Sequence, residues 1–133
     1  MDILEDLKYR GLIYQATNLE GLQKRLKKGK IVLYCGFDPT ASSLHVGNLL
    51  HLITLKRFAM AGNKSLALIG GGTGLIGDPS GRKEERLLND EKTVKKWKEN
   101  IKKQIEKIFD KSKNIIIIDN YDWLNKEKAI SFL

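Results

Sequence analysis

The chain has 133 residues and 24 lysines and arginines against 16 aspartates and glutamates, a formal charge of +8; this length fits one small domain and excludes a multidomain enzyme within it. With 41% hydrophobic and 30% charged residues it can bury a core, unlike a disordered tail, and no apolar stretch approaches the roughly 18–20 residues that span a membrane. The single cysteine, Cys35, excludes an internal disulfide and a cysteine-based zinc site. The N-terminus MDILEDLKYR lacks a signal-peptide apolar stretch, so a reducing cytoplasm is the expected location.

Ile3, Leu4 and Leu7 share one helical side before Gly11, and a second short helix is predicted from Asn18 as N-cap through Leu19, Leu22 and Leu26 to Gly29. Residues 1–30 read as a helical leader on a body from 31 to 133. Ile31 to Phe37 is a nearly continuous β-prone run, the pattern of a parallel strand buried on both faces. Turn residues from Asp38 to Ser43 follow, then a helix with Val46, Leu49, Leu50, Ile53 and Phe58 that ends near Gly62. Ser65–Gly70 is a second buried strand, and Gly70 to Gly81 a glycine-rich loop. A long amphipathic helix from about Asn89 turns Val94, Trp97, Ile101, Ile105 and Ile108 inward. Asn114–Asp119 is the third strand.

Strand, helix, strand, helix, strand is the first half of a doubly wound α/β fold, whose ligands sit at the carboxyl ends of the strands. A 3-2-1 strand order would leave the first strand as a long apolar edge. The apolar run Ala129 to Leu133 has no capping or stop signal, so the sequence is expected to be a fragment. Residues 92–113 carry nine lysines against Glu99, Glu106 and Asp110. Polyanion binding is one account of that run; with lysine dominating and no aromatic interleaving, a solvated helix face is the better one.

Several residues fall where chemistry is done. His45-Val46-Gly47-Asn48 begins a helix just after a strand, where backbone N–H groups and the positive helix end favour phosphate. Gly47 lets a nucleotide approach the backbone, His45 can donate to phosphate oxygens, and Asn48 can bond ribose or phosphate; an ordinary first helical turn with an exposed histidine is the plainer alternative. Gly72-Thr73-Gly74-Leu75-Ile76-Gly77 matches the G-x-G-x-x-G fingerprint of dinucleotide-binding proteins. The match reads as accidental, because Asp78-Pro79-Ser80-Gly81 breaks any helix there and no acidic strand end follows about 20 residues on. Asp78 can bind a substrate ammonium or simply cap a turn. Arg82, Lys83 and Arg86 can neutralise phosphates, although Glu84 and Glu85 interleave. His45 and His51 have no partner at metal-ligand spacing, so no structural metal is expected. Tyr34 reads as a core aromatic whose hydroxyl becomes available to a ligand in an open cleft.

Taken together, Tyr34–Ala41, Ser43–Asn48 and Gly74–Gly81, with Lys8–Leu12 and Asn120–Trp123, resemble the bacterial tyrosyl-tRNA synthetases, class I aminoacyl-tRNA synthetases, over residues 1–133. The related tryptophan enzymes lack the Tyr-Cys-Gly-Phe-Asp-Pro-Thr string. The resemblance implies a cytoplasmic homodimer that uses ATP and Mg2+ to convert L-tyrosine to tyrosyl-adenylate and then charges tyrosine tRNA. It implies that Tyr34 bonds the phenol and Asp78 the ammonium of tyrosine. Cys35 and Asn48 contact the ribose, while Gly36, Asp38 and Gly47 border the nucleotide. Thr40 and His45 hold the ATP phosphates as the α-phosphorus becomes five-coordinate, and Arg82 and Arg86 assist the departing pyrophosphate. No covalent enzyme intermediate is required, because the tyrosine carboxylate is already the nucleophile.

Asn48 departs from the family's usual histidine but keeps a hydrogen bond to ribose, so modest weakening is expected. The family's mobile lysine-rich loop and its tRNA-binding C-terminal domain lie past residue 133, so this stretch alone is expected to be inactive. The alternatives are a free-standing half-Rossmann module that binds nucleotide without catalysis and, weakened by Pro79, an NAD-dependent oxidoreductase domain.

Overall fold

The computed structural model describes residues 2–76, 90–110 and 112–127. Asp2 caps the first helix, α1 (Ile3–Tyr9), by accepting from the Leu4 N–H. Asn18 does the same for α2 (Leu19–Lys28) through the Gly21 N–H at 2.7 Å, and Gly29, at φ +149°, ends it where an L side chain would be strained. Leu4 and Leu7 pack with Phe58 and with Leu22, Leu26 and Leu33, so the two leader helices rest on the body. The Asp6 carboxylate ties α1 further to the Arg57 guanidinium, whose Nη2 lies 2.6 Å from Oδ1.

Three parallel strands follow, β1 (Val32–Phe37), β2 (Lys64–Ile69) and β3 (Ile115–Asp119), in the order β1-β2-β3. Between β1 and β2 runs α3 (Val46–Met60), and between β2 and β3 run α4 (Thr73–Ile76) and α5 (Glu91–Phe109); α6 (Tyr121–Leu124) comes last. Together they form the first half of a doubly wound α/β layer, with β1 at an edge. The turn of helix at Thr73–Ile76 interrupts the stretch expected to be loop, and a glycine-rich sequence gives no propensity signal for it. The apolar run Ala129–Leu133 and the Asp78–Gly81 helix breaker lie outside the described residues.

The expectation that β1 is buried on both faces needs correction. Leu33, Cys35 and Phe37 point to the core, whereas Val32 and Tyr34 on the other face are 63% and 69% exposed. Strand register carries this split across the sheet: Phe37, Ile69 and Asp119 form one row, and Tyr34, Leu66 and Ile116 a row of the opposite face. The reason is handedness. Parallel crossovers are right-handed in nearly all cases, and two that step the same way across a sheet deposit their helices on the same face. Leu52 and Leu55 of α3 accordingly share one cluster with Ile101, Ile105 and Phe109 of α5, over Phe37, Ala67 and Ile69. Tyr34 is therefore an exposed aromatic on the open face and not a core residue.

Buried polar groups fix the register of helix to sheet. Ser65 Oγ donates to the Leu55 carbonyl at 2.8 Å. Asn63, 2% exposed, accepts from the Ile31 N–H at 3.1 Å and donates to the Phe58 carbonyl at 3.2 Å. Asn114 and Lys30 donate to the Ala59 and Ala61 carbonyls. The last turn of α3, whose carbonyls have no partner within the helix, is thus satisfied from neighbouring segments.

Candidate active site

Of the residues that the sequence singled out, the described ones lie at the end of β1 and in the turn after it and at the N-terminus of α3. At the end of β1, Tyr34 and Gly36 lie on the open face and Cys35 on the helix-covered face. A Cβ at Gly36 would meet no atom within 4 Å, so nothing in the described packing requires glycine there. Burial pushes the Cys35 thiol up, which keeps it a neutral, weakly polar group. The chain then turns through Asp38 and the buried Pro39, with the Thr40 N–H on the Asp38 carbonyl at 2.9 Å, and leaves Thr40 at the surface.

His45 is the N-cap of α3. Its Nδ1 accepts from the Asn48 N–H at 3.4 Å while Asn48 Oδ1 accepts from the His45 N–H at 3.1 Å, a reciprocal capping box. Because Nδ1 is the acceptor, the proton of the neutral ring belongs on Nε2, so a donor stands at the positive end of a 15-residue helix. Gly47 serves this arrangement: a Cβ there would come within 3.0 Å of the imidazole Nδ1 and Cε1. Asn48 is therefore engaged in the cap.

The glycine loop after β2 is moulded by its neighbours. A Cβ on Gly70 would lie 1.8 Å from Asp38 Oδ1, one on Gly71 would lie 2.3 Å from Asp119 Oδ1, and one on Gly74 would lie 2.8 Å from Pro39 Cγ. The Gly71 N–H donates to Asp119 at 3.2 Å and the Gly72 N–H to Asn120 at 2.7 Å. In a dinucleotide fingerprint such amides face a pyrophosphate; here side chains of Asp119 and Asn120, at and just past the end of β3, take them. The third glycine of the G-x-G-x-x-G match, Gly77, lies outside the described residues.

Sequence reasoning missed a polar cluster around this loop. Thr73 Oγ1 lies 2.8 Å from Asp38 Oδ1, Asn120 Nδ2 lies 3.2 Å from Thr73 Oγ1, and Lys98 Nζ lies 2.8 Å from Asp119 Oδ2. The hydrogen bond to Asp119 raises the Lys98 ammonium above its ordinary value, and that ammonium also sits 5.5 Å from the centre of the Tyr121 ring. These partners are up to 48 residues apart in the chain; the one local hint was the triple glycine directly after a strand. A cavity of about 230 Å³ beside this cluster, lined by Gly71, Leu75, Glu91, Val94, Lys95, Lys98 and Tyr121, contains none of the residues predicted to touch ligand. Asp78, Arg82 and Arg86 lie outside the described residues.

Three parallel strands joined by crossover helices that share one face make a Rossmann-like α/β half-layer. The chain belongs to the class I tRNA synthetases of the W and Y group, whose family model matches residues 26–133. A protein of Bacillus licheniformis named Tyrosine–tRNA ligase 1 is 52% identical over 98% of the chain, and the Tyrosine–tRNA ligase of Bacillus caldotenax is 49% identical over all of it. The chain spans about a third of the length of these relatives, 32% in each case. Among solved structures, a C-terminally truncated mitochondrial tyrosyl-tRNA synthetase of Coccidioides posadasii superposes with a TM-score of 0.83 at 28% identity, covering 98% of this chain and 38% of that one. The Aspergillus nidulans counterpart gives 0.80 at 28%, covering 96% and 40%.

Proposed function

We propose that this chain is the first part of a tyrosine–tRNA ligase, with residues 1–30 a helical leader and residues 31–133 the opening portion of the catalytic domain. The observation that carries the reading is the 52% identity, along nearly the whole chain, to a protein named for that activity. In the first step a tyrosine carboxylate oxygen attacks the α-phosphorus of ATP. A carboxyl–phosphate bond forms, the bond to the β-phosphate oxygen breaks, and pyrophosphate leaves. ATP enters with Mg2+ as co-substrate, and the adenylate then acylates the terminal adenosine of tyrosine tRNA. Catalysis by this chain's residues is positioning plus charge stabilisation, with no general base.

Tyr34, on the open face, reads the phenol, and Asp78 takes the ammonium. Cys35 and Asn48 meet the ribose, with Gly36, Asp38 and Gly47 along the nucleotide. His45 donates from Nε2 to phosphate oxygens while its Nδ1 stays in the helix cap, so the donor is held without losing freedom at the moment of reaction. Thr40 supplies a hydroxyl to the same phosphates, and Arg82 and Arg86 offset the charge of the leaving pyrophosphate. The enzyme works as a homodimer in the cytoplasm and meets its tRNA mainly through later segments.

The test is tyrosine-dependent exchange of labelled pyrophosphate into ATP by the longest native polypeptide that contains this sequence. Exchange with tyrosine is expected, with phenylalanine at least about 10⁴-fold poorer, because a site built to bond a hydroxyl leaves its own polar groups unpaired without one. ATP binding with no amino-acid-dependent exchange would instead make the chain a free-standing nucleotide-binding module.

A further inference from the structure

Three segments far apart in sequence meet through a one-way series of hydrogen bonds at the carboxyl ends of the strands. Asn120, one residue past β3 and 7% exposed, accepts from the Gly72 N–H at 2.7 Å through Oδ1. A backbone N–H can only donate, so this contact sets the amide and turns Nδ2 toward Thr73, whose Oγ1 lies 3.2 Å away. With a lone pair of that hydroxyl occupied, its single proton is left for Asp38 Oδ1 at 2.8 Å or the Gly70 carbonyl at 3.3 Å. The carboxylate is nearer and charged, and such bonds are roughly twice as strong as neutral ones. Gly70 leaves the room that Asp38 needs, since a Cβ there would lie 1.8 Å from the same oxygen.

We infer that Asn120 and Thr73 are positioning residues for the ligase reaction, which act through Asp38 by holding its carboxylate in one setting at the crevice. The inference rests on the ligase reading proposed above. Neither residue need touch substrate: Thr73 presents a proton to Asp38, and Asn120 decides which way that proton points. Asp38 lies one residue past β1, Thr73 at the start of α4 after β2 and Asn120 just past β3, so the device also locks the three strand ends to one another.

The experiment is tyrosine-dependent pyrophosphate exchange by the full-length ligase carrying Thr73→Val, Thr73→Ser or Asn120→Asp, each alone and combined with Asp38→Ala, with thermal unfolding of every variant. Thr73→Val keeps the shape and removes the hydroxyl, and about a tenfold fall in kcat/KM is expected in protein that is still folded at the assay temperature, although loss of the hydrogen bond lowers its melting temperature. Thr73→Ser restores the rate to within about twofold. Asn120→Asp still accepts from Gly72 but offers the hydroxyl an acceptor in place of a donor, which draws its proton off Asp38; a similar fall is expected, and it stands in should Thr73→Val not fold. In the Asp38→Ala background each change is silent, because the group through which it acts is gone. Wild-type rates for both Thr73→Val and Asn120→Asp, or the same fall on top of Asp38→Ala, would overturn the inference. A wild-type protein with no tyrosine-dependent exchange would overturn the ligase reading and this inference together.

Discussion

Replacing Gly70 with alanine sets a methyl carbon 1.8 Å from Asp38 Oδ1 and 2.5 Å from Thr73 Oγ1, both far inside contact. Gly70 is not among the glycines with positive φ, so the conflict is one of space and not of backbone shape. The two side chains must separate, losing a hydrogen bond to a charged acceptor worth about 1.5–3 kcal/mol, and overpacking adds roughly 1–3 kcal/mol. A loss of about 2.5–6 kcal/mol is therefore expected in urea unfolding. Gly36→Ala is the matched control. Its Cβ meets nothing within 4 Å, and alanine in a strand is better than glycine by roughly 0.5–1 kcal/mol, so stability is expected to hold or rise. Under the proposed function the same methyl group intrudes on the nucleotide, and KM for ATP in pyrophosphate exchange is expected to rise about tenfold or more. Wild-type stability for Gly70→Ala, or a loss above about 1 kcal/mol for Gly36→Ala, would refute the division between a packing glycine and a ligand glycine.

Three further outcomes are expected. His45→Asn keeps a good N-cap on α3 and removes the Nε2 donor, so urea unfolding should change by no more than about 0.5 kcal/mol while kcat for tyrosine activation falls at least about tenfold; equal losses in both would make His45 a cap alone. Asn63→Ala leaves the Ile31 N–H without its side-chain acceptor and should cost about 1–3 kcal/mol in the same assay. The Arg57 guanidinium, with help from Arg10, holds the Asp6 carboxyl below its ordinary value. A carboxyl whose folded value lies below its unfolded one adds stability that is present above the unfolded value, about 3.9, and lost as pH falls through the folded one. The stability gap between wild type and Asp6→Asn should thus be level above about pH 5 and shrink below about pH 4; a gap independent of pH from 6 to 2.5 would refute this reading of the ion pair.

The order and kind of the main elements were legible because their signals are local. Asn18 and Gly29 bracket α2 as read, the isoleucine run is β3, and Val94, Ile101 and Ile105 are buried on α5. The state of Tyr34 was not legible, because an unbroken apolar strand looks the same whether one face or both are covered; only the direction of successive crossovers decides it. α4 escaped notice since its glycine-rich sequence carries no helix propensity signal, although Gly74 also leaves room for the distant Pro39. The site divides along the same line. The His45 to Asn48 turn could be placed at a helix start from the sequence, whereas Thr73, Lys98, Asp119 and Asn120 have ordinary identities and meet only through the fold.

The open face of the sheet bears on how the protein is made. In a chain that continues past Leu133, as proposed, the segment with exposed Val32, Tyr34 and Ile116 leaves the ribosome first. At roughly 5–20 residues per second, the remaining two thirds of a protein as long as its relatives takes on the order of tens of seconds to follow. For that interval the nascent chain carries one finished face, held by α3 and α5, and one sticky face with the unpaired strand edge of β1 beside it. The same layering that leaves Tyr34 exposed gives the newborn polypeptide an apolar surface that it must keep from other chains until its own later residues arrive to cover it.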